Sequence, residues 1–108
     1  MTVQQLMEAC GFTAAALPQP DREVSGVYIG DLLSWVMGRA GADEAWITIM
    51  SNRNIVAVAT LADTACILLA EGVSPDEGVA QLATEKGVNI LQSPLSAYEI
   101  ALALRDTL

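Results

Sequence analysis

The sequence predicts an α/β fold: a three-layer α/β/α sandwich around a mostly parallel sheet of about four or five strands. Three observations carry this. Short strand-like runs recur at Ala45–Met50, Ala65–Ala70 and Val88–Leu91, and Ala65–Ala70 is continuously apolar, the pattern of a strand buried on both faces. Segments with helical apolar spacing lie between and after them. Helix-start punctuation at Ser74-Pro75-Asp76-Glu77 and Ser96-Ala97-Tyr98-Glu99 separates strand from helix. Residues 45–107 then read β-α-β-α-β-α, which requires parallel pairing through right-handed crossovers.

The elements follow in chain order. Val3–Ala9 places Val3, Leu6 and Met7 at helical spacing, and Gly11 stops the helix. Phe12–Leu17 is a short strand rich in alanine, followed by a Pro18-Gln19-Pro20-Asp21 turn. Val24–Ile29 is a strand ended by Gly30-Asp31. Asp31 is placed to cap a helix whose Leu32, Leu33, Val36 and Met37 form its apolar face. Asn54–Leu61 is compatible with either state, since Ile55, Val56 and Val58 suit a strand. Two successive tight hairpins would then be needed in a run nearly free of turn glycine, so a helix capped by Asn52 or Asn54 is favoured. Ser74 and Glu77 form a capping box for a helix burying Val79, Leu82 and Ala83 and closed by Lys86-Gly87. Ser96 and Glu99 form a second box, with Leu95 and Ile100 as a staple, for a last helix burying Ile100, Ala101 and Leu104.

Composition narrows the function. The 108 residues are 53% hydrophobic and 17% charged, matching a single folded domain over 1–108 with apolar surface to spare. A homodimer is the plainest use of that surface. Thirteen acidic residues against five basic ones give a net charge of −8, and no two basic residues are adjacent. Nucleic acid and anionic membranes are therefore not expected partners. Nothing resembles a signal peptide or a spanning helix, so a cytoplasmic location is expected. Cys10 and Cys66 fit no zinc or redox spacing, and Cys66 within an apolar run reads as a buried free thiol. Histidine is absent. No catalytic residue, metal ligand or cofactor is assigned, because the inventory of acids, bases and activated nucleophiles is too thin.

Parallel strands gather the loops after them on one rim. On that rim Ser51-Asn52-Arg53-Asn54 opens a helix and offers free N–H groups and a guanidinium to an anion. Gly72, Ser93 and Ser96 lie on the neighbouring rim loops and complete the candidate pocket for a nucleotide or other anion. A capped turn with a solvent-facing arginine is the plainer reading of the same residues. Trp35 falls one position off the Leu32–Val36 stripe, and with Tyr28 it is assigned to a homodimer surface.

Several stretches also resemble the DRTGG domain family. They are Gly26-Val27-Tyr28-Ile29-Gly30-Asp31-Leu32-Leu33 with Val36-Met37, Trp46-Ile47-Thr48-Ile49, Asn54–Ala59, Pro75-Asp76-Glu77 and Leu95–Glu99. Such domains occur alone and attached to larger metabolic enzymes, and they are similar to the N-terminal domain of HPr kinase/phosphorylase. The resemblance implies a stand-alone, non-catalytic regulatory or scaffolding module, homodimeric and partnered with a metabolic enzyme. A sensor of a nucleotide or other anion is the alternative. The name-giving residues are only partly kept: the Asp-Arg pair falls on Asn52-Arg53, and Thr-Gly-Gly falls on Ala70-Glu71-Gly72.

Overall fold

Alternation along the central strands decides which helices cover which face of the sheet. In the computed structural model, which describes residues 1–108, β3 (Glu44–Thr48) turns Ala45 and Ile47 to one side and Trp46 to the other. The next strand, β4 (Cys66–Leu69), does the same with Cys66 and Leu68 against Ile67 and Leu69. All four of its residues are buried. Side chains of period two force this split, so a strand with no polar position needs a helical layer on each face.

The first face receives α1 (Val3–Cys10) and α5 (Ala97–Thr107), which press Val3, Leu6, Ile100 and Leu104 onto Ile47, Leu68 and Leu91. The second receives α2 (Leu33–Arg39), α3 (Asn54–Ala62) and α4 (Val79–Lys86), which bring Val36, Ile55, Val58, Val79 and Ala83 onto Trp46, Ile67 and Leu69. The remaining strands are β1 (Thr13–Ala16), β2 (Gly26–Ile29) and β5 (Ile90–Gln92), and the sheet order is β1-β5-β4-β3-β2. The strands β2 to β5 are parallel and adjacent in sequence order; β1 joins the edge antiparallel to β5. Each crossover steps one strand in the same direction, so crossovers of one hand must place α2, α3 and α4 on one face.

Asn54–Leu61 is helical, as the scarcity of turn residues implied. Its C-terminus closes on Asp63 in the left-handed region, with φ 60°. The Ser96–Glu99 capping box also forms, Glu99 N–H donating to Ser96 Oγ at 3.2 Å and Ser96 N–H to Glu99 Oε1 at 3.1 Å.

Three local expectations are corrected. Asp31 does not cap α2. Its carboxylate accepts from Thr48 Oγ1 at 2.8 Å and from Ile49 N–H at 3.1 Å, tying the end of β2 to the end of β3. The predicted apolar face of α2 is only partly used: Val36 is fully buried, but Leu32 and Met37 are exposed. The Ser74–Glu77 box does not form. Gly78 takes φ 82°, outside the helical region, so α4 begins only at Val79. Ser74 Oγ accepts from Gln92 Nε2 instead, at 3.2 Å.

Candidate functional site

The loops following β3, β4 and β5 sit side by side on one rim because their strands are neighbours and parallel. They are bonded to one another. Ser51 Oγ donates to Asp76 Oδ1 at 2.8 Å, and Asp76 N–H donates to the Ser51 carbonyl at 2.9 Å. Gly72 N–H reaches the Ser93 carbonyl at 3.0 Å, and Glu71 N–H the Leu95 carbonyl at 2.8 Å. Gln92 Nε2 adds a bond to the Val73 carbonyl at 3.1 Å. Glu71 and Gly72 both take positive φ, a tight reversal closed by Val73 N–H on the Ala70 carbonyl. Much of the rim's polar capacity is thus directed inward.

The candidate residues consequently separate. Ser51 serves the bond to Asp76, and Asn52 Oδ1 accepts from Asn54 N–H at 2.9 Å, an Asx-type start to α3. Arg53 and Asn54 are exposed and line a groove of about 500 Å³ between α3 and α4, together with Ala57, Leu61, Leu82 and Lys86. Gly72 and Ser93 line a different, polar recess of about 210 Å³ with Gly11, Thr13, Gln92 and Pro94. Ser93 is buried and its Oγ accepts from Leu95 N–H at 3.1 Å, while Ser96 caps α5. Arg53 and Ser93 therefore share no cavity.

Trp35 is 52% exposed, with the Arg39 guanidinium 3.7 Å from its ring centroid. Tyr28 is half-buried against the Trp46 side of the sheet. Its ring lies across Gly30, where a Cβ would come within 2.9 Å. Trp46 itself is fully buried and donates from Nε1 to the Gly30 carbonyl at 2.8 Å. Ile29, Leu32, Trp35, Met37 and Ile49 are all exposed apolar residues at the β2 end of the sheet, and the Ile49 N–H bonds the Asp31 carboxylate beside Leu32 in the chain. Reading the helix as a single buried stripe concealed Leu32 and Met37. The signal that marks Leu61 is the all-round apolar character of α3, which leaves side chains for its outer surface.

Two ionisable groups are displaced from their usual behaviour. Burial pushes the Cys66 thiol up to about 12, with a small opposing effect from the Arg22 charge. Partial burial works against the Arg22 charge, but hydrogen bonds to Asp63 and Asp43 outweigh it and raise its pKa. No group of three or more His, Cys, Asp or Glu side chains is placed to hold a metal ion. No helix is long and apolar enough to cross a membrane.

The DRTGG domain model matches residues 18–107. The chain belongs to the DRTGG domain family. The match covers all of the parallel sheet and every residue lining the groove between α3 and α4. Among solved structures, the CBS and DRTGG domains of the regulatory region of Clostridium perfringens pyrophosphatase, complexed with its activator diadenosine tetraphosphate, align with TM-score 0.76 at 11% identity. The alignment covers 99% of this chain and 47% of that one, so the DRTGG domain spans about half of that structure's length. At that identity the likeness is one of fold. No curated protein matches the chain in sequence.

Proposed function

We propose that this DRTGG domain is a regulatory or scaffolding module that acts as a homodimer and docks onto a metabolic enzyme. The observation that carries the reading is the apolar set Ile29, Leu32, Trp35, Met37 and Ile49 at the free edge of the sheet. Exposed large apolar side chains at one end of the sheet, a tryptophan among them, support a protein interface better than they support catalysis. A two-fold pairing of β2–α2 surfaces would cover it on both copies at once. The fold shared with a pyrophosphatase regulatory region supports an enzyme as the wider partner.

Light scattering tests the homodimer. The wild-type chain should elute at about twice its 11.4 kDa mass, and Trp35→Asp at the single-chain mass. A monomeric wild type at tens of micromolar overturns this reading, as does a variant that keeps the doubled mass.

The sensor reading has one specific observation in its favour: Arg53 is exposed, makes no ion pair and lines a cavity. Thermal-shift titration with ATP and diadenosine tetraphosphate tests it. Stabilisation abolished by Arg53→Ala supports an anion site, and an unmoved melting temperature removes it.

A further inference from the structure

Helix α3 carries no charged residue: Asn54-Ile55-Val56-Ala57-Val58-Ala59-Thr60-Leu61-Ala62. A helix apolar on every side is ordinarily covered on every side. Here Ile55, Val56, Val58 and Ala59 are buried, but Ala57 and Thr60 are exposed and Leu61 is 70% exposed. With Leu82 of α4 they floor the groove of about 500 Å³.

The groove also collects two of the three side-chain cations that make no salt bridge. Arg22 is tied to Asp43 and Asp63, Arg105 to Asp106, and Arg39 lies over Trp35. Arg53 and Lys86 make no ion pair, and both line this groove in a chain of net charge −8. Both helices follow parallel strands and so run the same way. Arg53 precedes α3 and Lys86 ends α4, which puts the two charges at opposite ends of the groove, offset by about 12 Å along the helix axes. Between them the Thr60 hydroxyl is occupied by the Val56 carbonyl at 2.9 Å, leaving the middle of the groove apolar.

We infer that the α3–α4 groove docks an acidic amphipathic helix of a partner protein. Its apolar stripe lies on Ala57, Leu61 and Leu82, and its carboxylates reach Arg53 at one end and Lys86 at the other. Apolar anchors at i, i+4 and i+7 match a groove of this length, and acids about eight residues apart match the separation of the cations. A compact anion would engage one cation and leave the apolar floor wet. A second copy has no such helix to offer: α1 and α5 bury their apolar faces on the sheet, and α2, which exposes Trp35 and Met37, carries no carboxylate. The inference rests on the docking half of the proposed function and deepens it.

The test uses the full chain and a labelled, end-blocked helical peptide with Leu at i, i+4 and i+7 flanked by glutamates, read by fluorescence anisotropy. Saturable one-to-one binding is expected, weakened at least about tenfold by Arg53→Glu with Lys86→Glu and by Leu61→Asp, and weakened by salt. These are exposed positions, and unchanged far-UV circular dichroism checks that the variants fold. A matching peptide with lysine in place of glutamate should not bind. Absence of saturation, equal binding of both peptides, or unchanged binding by the charge-reversed variant overturns the inference. So does self-association abolished by Leu61→Asp, or an ATP-induced thermal shift abolished by Arg53→Glu, since each gives the groove another occupant. Trp35→Asp lies outside the groove and should bind the peptide as wild type does, which separates failure of this inference from failure of the homodimer.

Discussion

Arg22 Nη2 donates to Asp63 twice, to its carbonyl oxygen at 2.6 Å and to its carboxylate at 2.8 Å. The same guanidinium bonds Asp43 Oδ1 from Nε and Nη2 at 3.2 and 3.0 Å. Asp43 and Asp63 are two of only three non-glycine residues with positive φ, and they occupy the turns leading into β3 and β4. One arginine thus holds two left-handed turns at the rim opposite the candidate loops. Arg22→Ala should lower unfolding stability by about 1–3 kcal/mol, the range for hydrogen bonds to charged groups, with exposure of the carboxylates favouring the lower end. Asp63→Gly should cost less, since glycine accepts the turn's φ and keeps the carbonyl contact. Urea denaturation of the two variants checks the order; equal losses would contradict it.

Asn89 does for the interior what Arg22 does for the surface. It is almost wholly buried, yet its amide group is in use on both sides: Nδ2 donates to the Gln19 carbonyl at 2.8 Å and the Ala65 carbonyl at 3.0 Å, and Oδ1 accepts from Gln19 N–H at 2.9 Å. It fastens the proline-flanked turn before β2 to the starts of β4 and β5. Asn89→Ala should cost about 1–3 kcal/mol, because it leaves the buried Ala65 carbonyl without its partner and releases the Gln19 backbone. A urea midpoint within experimental error of wild type would show that the turn is held by other means.

These two hubs explain what was legible in the sequence. From Ala45 onward, burial alone chooses between strand and helix, and periodicity reports burial; Ile67, Ile90 and Leu104 lie where the pattern put them. The loops obey a different rule. Ser51 with Asp76, Gln92 with Val73 and Arg22 with Asp63 are pairings between distant segments, and no local pattern encodes them. A single rim pocket was drawn from topology, which places loops side by side but cannot say that they bond to one another. Arg53 and Ser93 fell into separate cavities for that reason.

Cys66 links burial to pH. Its thiol is raised to about 12 in the folded chain from 9.0, the value expected when unfolded. Between these limits the unfolded state releases the proton and the folded state keeps it, so the unfolded form binds fewer protons and stability falls as pH rises. The loss from this group is about 1.4 kcal/mol per pH unit well above pH 9 and is absent below it. Other groups titrate there too, so the readout is the difference between wild type and Cys66→Ala across pH 8–10.5, which should narrow as pH increases. At pH 8, a thiol reagent should modify half-buried Cys10 in the native chain and reach Cys66 only in denaturant. Rapid native labelling of both cysteines would contradict the burial.

Two identical helix-start patterns separate local from tertiary control. Ser96-x-x-Glu99 caps α5 reciprocally, whereas Ser74-x-x-Glu77 is pulled apart: Asp76 is held by Ser51, Ser74 by Gln92, and Gly78 turns the chain before α4 can start. Ser96→Ala should therefore cost about 1 kcal/mol, the usual value of an N-cap. Ser74→Ala loses one exposed bond from Gln92, which retains its bond to the Val73 carbonyl, and should stay within about 0.5 kcal/mol of wild type. Paired thermal melts measure the contrast directly. Equal destabilisation would mean that the Ser74 box forms in solution and that α4 begins several residues earlier than Val79.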